Sequence, residues 1–412
     1  MAAREMKDSG VDWLREIPLT WSLQKISTFY SLRTQKVSDK DYPPLSVTKK
    51  GVLPQLENVA KTDDGDNRKL VKKGDFVINS RSDRRGSCGI SPLDGSVSVI
   101  NTVLIPRGQA NPQYFDWLFH TENFADEFYK WGSGIVDDLW STRWQDMKRI
   151  TIPVPDLAEQ HLIAEFLNEK CSEVDSLTAD IEKQIETLQE YKKSVITEAV
   201  TKGLDPNVEM KDSGVEWIGI MPKVWGLKPL KHCVNLKTTK SKTNEGYVGL
   251  EQIKSWEGRL ISSSDEEIPI AEGDALAFSK GDVLFGKLRP YLAKCFFALH
   301  SGSCSTEFLV FRPVNIDGRF LKFSLLTSSF IDTVNMSTNG VKMPRANWDF
   351  IGTIKMPIPD IKEQLDIANF LDTKCAEIDS IVEEKQKQLE VLAQYKQSLI
   401  YEYVTGKKAV PT

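Results

Sequence analysis

The sequence predicts an α+β fold: two globular α+β modules joined by two long antiparallel helices forming a coiled coil, with a pseudo-two-fold internal repeat. Three observations predict it. The chain repeats itself at a fixed offset of 204 residues: MKDSGVDWLREIPLTW at 6–21 returns as MKDSGVEWIGIMPKVW at 210–225, and ITIPVPDLAEQHLIAEFL from 150 returns as IKMPIPDIKEQLDIANFL from 354. Each of the latter blocks opens a long stretch of helical periodicity. The inserts at 22–149 and 226–353 are largely unalike and mix short β-rich runs with turns. The boundaries fall at 1–152 for the first module, 153–203 for the first helix, 204–356 for the second module, and 357–412 for the second helix and a short tail.

Composition narrows the class. The 412 residues, 40% hydrophobic and 27% charged, suit a soluble globular chain of two domains plus connectors. No apolar run approaches the ~20 residues needed to span a bilayer. The opening MAAREMKDSG lacks a signal-type apolar stretch, so a cytoplasmic protein is expected. Six scattered cysteines form no C-x-x-C pair, which argues against a zinc or thioredoxin-like motif. Cys171 and Cys375 are repeat equivalents and read as small buried helix residues.

The net charge of −5 is unevenly divided. Residues 22–149 carry 19 basic against 16 acidic side chains, and 226–356 carry 17 against 13. The repeated segments are acidic, with 5 basic against 11 acidic at 156–203 and 6 against 10 at 360–407. Attraction for phosphate can therefore act through the modules only.

Within the modules, Phe76–Asn79 and Val283–Phe285 each follow a Lys-Gly-Asp turn. Val99–Ile105 and Phe308–Phe311 read as buried strands. Tyr114–Tyr129 and Phe320–Val334 read as helices, and a curved sheet is expected. After the first turn come Arg81, Ser82, Arg84 and Arg85; after the second come Lys287 and Arg289. Arginine can fork onto guanine, and serine or a backbone N–H can hold phosphate. The alternative is a solvated basic loop. A second candidate stretch precedes each long helix, with Arg143 in the first module and Lys342 and Arg345 in the second. Lys240 and Lys242, with Lys49 and Lys50, are weaker phosphate candidates. Trp144 and Trp348 correspond across the repeat and read as core.

Each long helix opens at Pro-x-Pro-Asp. Proline brings the chain in extended. Asp156 and Asp360 stand at the N-cap, with Glu159 and Glu363 in capping-box spacing. No Gly or Pro follows until Gly203 and Gly406, giving about 45 helical residues each, or roughly 65 Å. Val174, Ile181, Leu188 and Val195 recur every seven residues, flanked by Leu177, Ile185 and Tyr191. The second copy shows Ile378, Val382, Leu389, Leu392, Tyr395 and Leu399. This is a coiled-coil seam. Two helices alike in length pair most economically with one another, and the alternative is that each lies on its own module.

No catalytic chemistry is legible. There is no G-x-G-x-x-G loop, Walker A or H-E-x-x-H motif, and the four histidines are dispersed. A chain without a nucleophile, metal cluster or cofactor loop reads as non-catalytic.

The repeated Asp-Ser-Gly-Val-x-Trp…Pro…Trp opener resembles the specificity (S) subunit of type I restriction–modification systems. So do the Pro-x-Pro-Asp…Glu-Gln helix start, the Lys-Gly-Asp strand of each module, with Lys287-Leu288-Arg289-Pro290-Tyr291 after the second, and the order of modules and helices. The resemblance covers essentially the whole chain. It implies a non-catalytic DNA-binding subunit with two target-recognition domains, each reading half of a split double-stranded DNA target. It implies that the helices set the spacing and dock two methyltransferase (M) subunits, joined by restriction (R) subunits in the full complex. S-adenosylmethionine, ATP and Mg²⁺ would belong to those partners, with no cofactor or metal on this chain. Arg81, Arg84, Lys287 and Arg289 are then expected on one concave, DNA-facing surface. The first module departs from the second after its turn, with Ser-Asp-Arg-Arg in place of Leu-Arg-Pro-Tyr. Rival readings are a stand-alone bipartite DNA-binding regulator and a coiled-coil protein adaptor.

Overall fold

A computed structural model describes residues 4–55, 65–134, 140–241, 246–261, 274–338 and 343–411. The chain forms two compact units. One comprises residues 1–181 and 387–412, the other 182–386. Both long helices, Leu157–Lys202 and Ile361–Val404, contribute a segment to each unit.

Each unit is built on a four-stranded antiparallel sheet. In the first the strand order is Cys88–Ile90, Phe76–Asn79, Asn101–Pro106, Tyr30–Leu32; in the second it is Val234–Lys237, Phe308–Pro313, Val283–Gly286, Cys295–Phe297. The central strands Phe76–Asn79 and Val283–Gly286 are buried along their length. The helix expected at Tyr114–Tyr129 is two, Pro112–Phe119 and Glu122–Lys130. Thr121 ends one by donating to the Leu118 carbonyl (2.8 Å) and caps the next by accepting from the Phe124 N–H (3.2 Å). Phe320–Val334 divides likewise into Gly318–Leu325 and Ser328–Met336.

The repeated motifs hold each unit together. In the opener, the Asp8 and Asp212 carboxylates accept from the N–H groups of Gly10 and Gly214, both at 2.9 Å. Those glycines sit at φ 64° and 63°, the left-handed region that favours Gly. The opener's last tryptophan is buried in both units, and its indole N–H donates to the helix-start glutamate: Trp21 to Glu159 at 2.8 Å, Trp225 to Glu363 at 2.9 Å. Asp156 and Asp360 do cap their helices, accepting from the Glu159 and Glu363 N–H groups at 2.8 and 2.9 Å. The glutamate side chains turn to tryptophan rather than back to the cap. The following Gln160 and Gln364 are buried; each donates to a proline carbonyl, Pro155 or Pro359, and accepts from a module backbone N–H, that of Asn111 or Asp317.

The helices run antiparallel in both units. In the first, Phe166 stacks on Tyr403 at 4.5 Å and Asp175 pairs with Lys396 at 2.5 Å. In the second, Gln184 accepts from Lys385 at 2.5 Å and Lys192 pairs with Asp379 at 2.7 Å. Of the seam residues, Val174, Ile181, Ile378, Val382 and Leu399 are buried, while Leu188, Val195, Leu389 and Leu392 are half-buried. Leu177, Tyr191 and Tyr395 are about half exposed and lie off the seam. Toward the helix ends the apolar stripe shifts onto the globular cores, through Ile196, Ala199 and Val200 in the second unit and Ile400, Tyr403 and Val404 in the first. A 3.6-residue turn drifts off a strict seven-residue repeat, so a helix packed on a body leaves that repeat.

Candidate nucleic-acid interface

The Lys-Gly-Asp turn fixes the strand that leads to the basic residues. Gly74 and Gly281 take φ 91° and 86°. Asp75, nearly buried, accepts from the Lys72 N–H at 2.8 Å and from both Arg33 guanidinium arms at 2.6 and 2.8 Å. Asp282, fully buried, accepts from the Ser279 N–H at 2.7 Å and Lys237 at 3.0 Å, and also pairs with Arg312. A buried carboxylate is tolerable only with such compensation. The acidic residue is structural, which sequence spacing alone did not reveal.

Beyond this strand, the two stretches singled out in each module meet. In the first unit Arg81 bridges Ser141, and the Thr142 N–H donates to the Ser80 carbonyl at 3.0 Å. In the second, Leu288 bridges Arg345, the Ala346 N–H donates to the Lys287 carbonyl at 2.8 Å, and the Arg289 N–H donates to the Pro344 carbonyl at 2.8 Å. One short antiparallel crossing in each unit thus carries most of the candidate cations.

Ion pairing separates those cations. Arg84 lies 3.5 Å from Asp83, Arg85 pairs with Asp126, Lys240 with Asp274 at 2.6 Å, and Arg345 with Glu307 at 3.0 Å. Among the described residues, the side chains of Arg81, Arg143, Lys287 and Arg289 have no ion pair or hydrogen bond. Arg143 and Arg289 are exposed; Arg81 and Lys287 are half-buried. Arg81 and Arg143 line one cleft of about 360 Å³ together with Lys69, Ser80, Thr102 and Trp144. Lys69, not foreseen from sequence, donates to the Asn101 carbonyl at 2.6 Å, and burial holds its pKa below the ordinary lysine value. It lies on the strand Arg68–Val71, whose other three residues are buried.

Ser82 belongs to the turn Ser82–Arg84, and its N–H donates to the Trp140 carbonyl at 3.2 Å. Lys242 and Lys342 lie outside the described residues. Trp144 and Trp348 pack partly buried against their cores, Trp348 beside Phe311 at 5.3 Å. All six cysteines are free and buried; burial pushes Cys295 and Cys304 up to about 12, and Cys171 and Cys375 up to about 11. Among the described residues no helix is long and apolar enough to cross a membrane.

The sequence profile of the type I restriction modification DNA specificity domain matches residues 27–187 and 236–391, once on each unlike module and the helix after it. The chain belongs to this family. Its relatives include the specificity subunit of the MjaVIII type I restriction enzyme of Methanocaldococcus jannaschii, 26% identical over 76% of this chain and 75% of the relative. The EcoDI specificity subunit of Escherichia coli is 24% identical over 64% of this chain and 63% of its own. A structure from work on complex assembly and conformational transition of the type I R-M system superposes with a TM-score of 0.69 at 13% identity, over 95% of this chain and 99% of that one. The HsdS subunit of Thermoanaerobacter tengcongensis gives 0.50 at 14% identity, over 95% and 98%. At these identities the likeness concerns the fold. As a specificity subunit the chain is a DNA-recognition component and not an enzyme. The α+β modules and long helices of the family account for the architecture described above.

Proposed function

We propose that this chain reads a bipartite DNA duplex inside a cytoplasmic type I restriction–modification complex, one half-site per target-recognition domain (1–152 and 204–356). The long helices hold the domains a fixed distance apart and dock two M subunits, to which R subunits bind. S-adenosylmethionine, ATP and Mg²⁺ are used by those partners. The observation that carries the reading is the crossing repeated in both units, with Arg81 and Arg143 on one and Lys287 and Arg289 on the other left without counter-charges. A cation already paired with a carboxylate must lose that partner before it meets phosphate; an unpaired one need not. The mildly basic modules and acidic helices support the same division of labour. Helices of roughly 65 Å exceed one turn of duplex, about 34 Å, so two separated half-sites lie within their reach.

Co-expression tests the reading. The chain should purify with its methyltransferase subunits, and that complex should methylate a split adenine-containing motif with strongly salt-dependent affinity. Tight specific binding by the isolated chain would identify a stand-alone regulator. Absence of DNA affinity, alone and in complex, would identify a protein adaptor.

A further inference from the structure

The second unit's crossing carries a side chain that the cations leave unexplained. Pro290–Leu292 forms one 3-10 turn bracketed by two non-glycine residues in the left-handed region, Arg289 at φ 50° and Ala293 at φ 45°. That conformation is costly for a residue with a Cβ and persists only where its surroundings over-determine it. They do so here. The Arg289 N–H is tied to Pro344, the Leu292 N–H donates to the Arg289 carbonyl at 2.9 Å, and the Ala293 N–H donates to the Pro290 carbonyl at 2.8 Å. Pro290 and Ala293 are buried, yet Tyr291 between them is 46% exposed.

An exposed aromatic alone is ordinary. This one sits on a rigid, strained turn beside two unpaired cations, and among the described residues it makes no hydrogen bond or ring contact. Glu307, whose backbone carbonyl accepts from the Lys287 N–H, has its carboxylate already taken by Arg345. The equivalent turn of the first unit, Ser82–Arg84, centres on Asp83 and is preceded by Arg81 in extended geometry, φ −85°.

We propose that Tyr291 is a base-contacting, specificity-determining residue of the second unit. Its ring makes apolar contact with base edges in a groove, while Lys287 and Arg289 hold flanking phosphates. Tyrosine suits this role because a large face is ordered at the cost of only two torsions. The inference rests on the DNA-reading function proposed above and confines this contact to one half-site.

The test uses the full chain assembled with its methyltransferase subunits, on duplexes carrying the motif found methylated in genomic DNA. Tyr291→Ala should weaken cognate binding on the order of tenfold and relax base preference at one or two neighbouring positions of one half-site. The slope of log affinity against log salt should not change, because a ring releases no counterions. Tyr291→Phe should retain affinity and preference. Arg289→Ala should instead flatten the slope by about one and keep the preference. If Arg289→Ala flattens the slope while Tyr291→Ala leaves base preference intact, the tyrosine contact is wrong and the functional reading stands. If neither variant changes binding, the turn lies away from DNA and both fall.

Discussion

In the first unit the unpaired cations Arg81 and Arg143 line a cleft of about 360 Å³ with Lys69; in the second, Lys287 and Arg289 flank the bridge between Leu288 and Arg345, and Arg289 opens a strained turn with Tyr291. Beneath both lies one frame. Trp21 and Trp225 reach Glu159 and Glu363 over 2.8 and 2.9 Å, and Gln160 and Gln364 make the same two bonds. The two regions differ in how freely their sequence can change. Residues that lock the opener to the helix start repeat at the 204-residue offset because their geometry is fixed. Residues on the crossing differ because they need only keep a backbone path.

Substitutions in the frame should have the largest effects. Trp21→Ala and Trp225→Ala should each destabilise their unit by about 3–5 kcal/mol, because each removes a buried ring. Urea denaturation should give similar losses for the two. Strongly unequal losses would mean that the frames are not equivalent.

The crossing predicts smaller, sorted effects. Arg81→Ala or Arg143→Ala should cost about 1–3 kcal/mol of DNA affinity in the assembled complex. Arg84→Ala and Arg85→Ala, which remove cations already held by Asp83 and Asp126, should cost under about 0.5 kcal/mol. In the second unit Arg345→Ala should likewise fall below Arg289→Ala. Fluorescence titrations at several salt concentrations measure both. Equal effects of paired and unpaired cations would remove ion pairing as the sorting principle.

Much of this was legible in the sequence. The repeat offset gave the two-unit plan, and the Pro-x-Pro-Asp start gave the caps, because both are local in the chain. What could not be read depends on contacts distant in sequence. Glu159 stood in capping-box spacing yet serves Trp21, 138 residues away. Arg85 and Arg345 looked as available as Arg81 until Asp126 and Glu307 took their places beside them. Lys69 gave no signal, since a lysine in a β-run is usually solvated. The break at Thr121 was missed because an apolar periodicity continues across it, and only the hydroxyl's two bonds mark the end of one helix and the start of the next. The seven-residue pattern predicted Tyr191 and Tyr395 near the seam, but they stand exposed on helices that follow bodies rather than a pure coil.

If the two crossings engage separate half-sites, phosphate-ethylation interference on the assembled complex bound to its motif should separate them, with wild type, Arg81→Ala and Arg289→Ala compared. Arg81→Ala should remove interference at phosphates flanking one half and Arg289→Ala at phosphates flanking the other, each leaving the opposite half unchanged. Loss confined to the same half for both substitutions, or no loss for either, would contradict that separation.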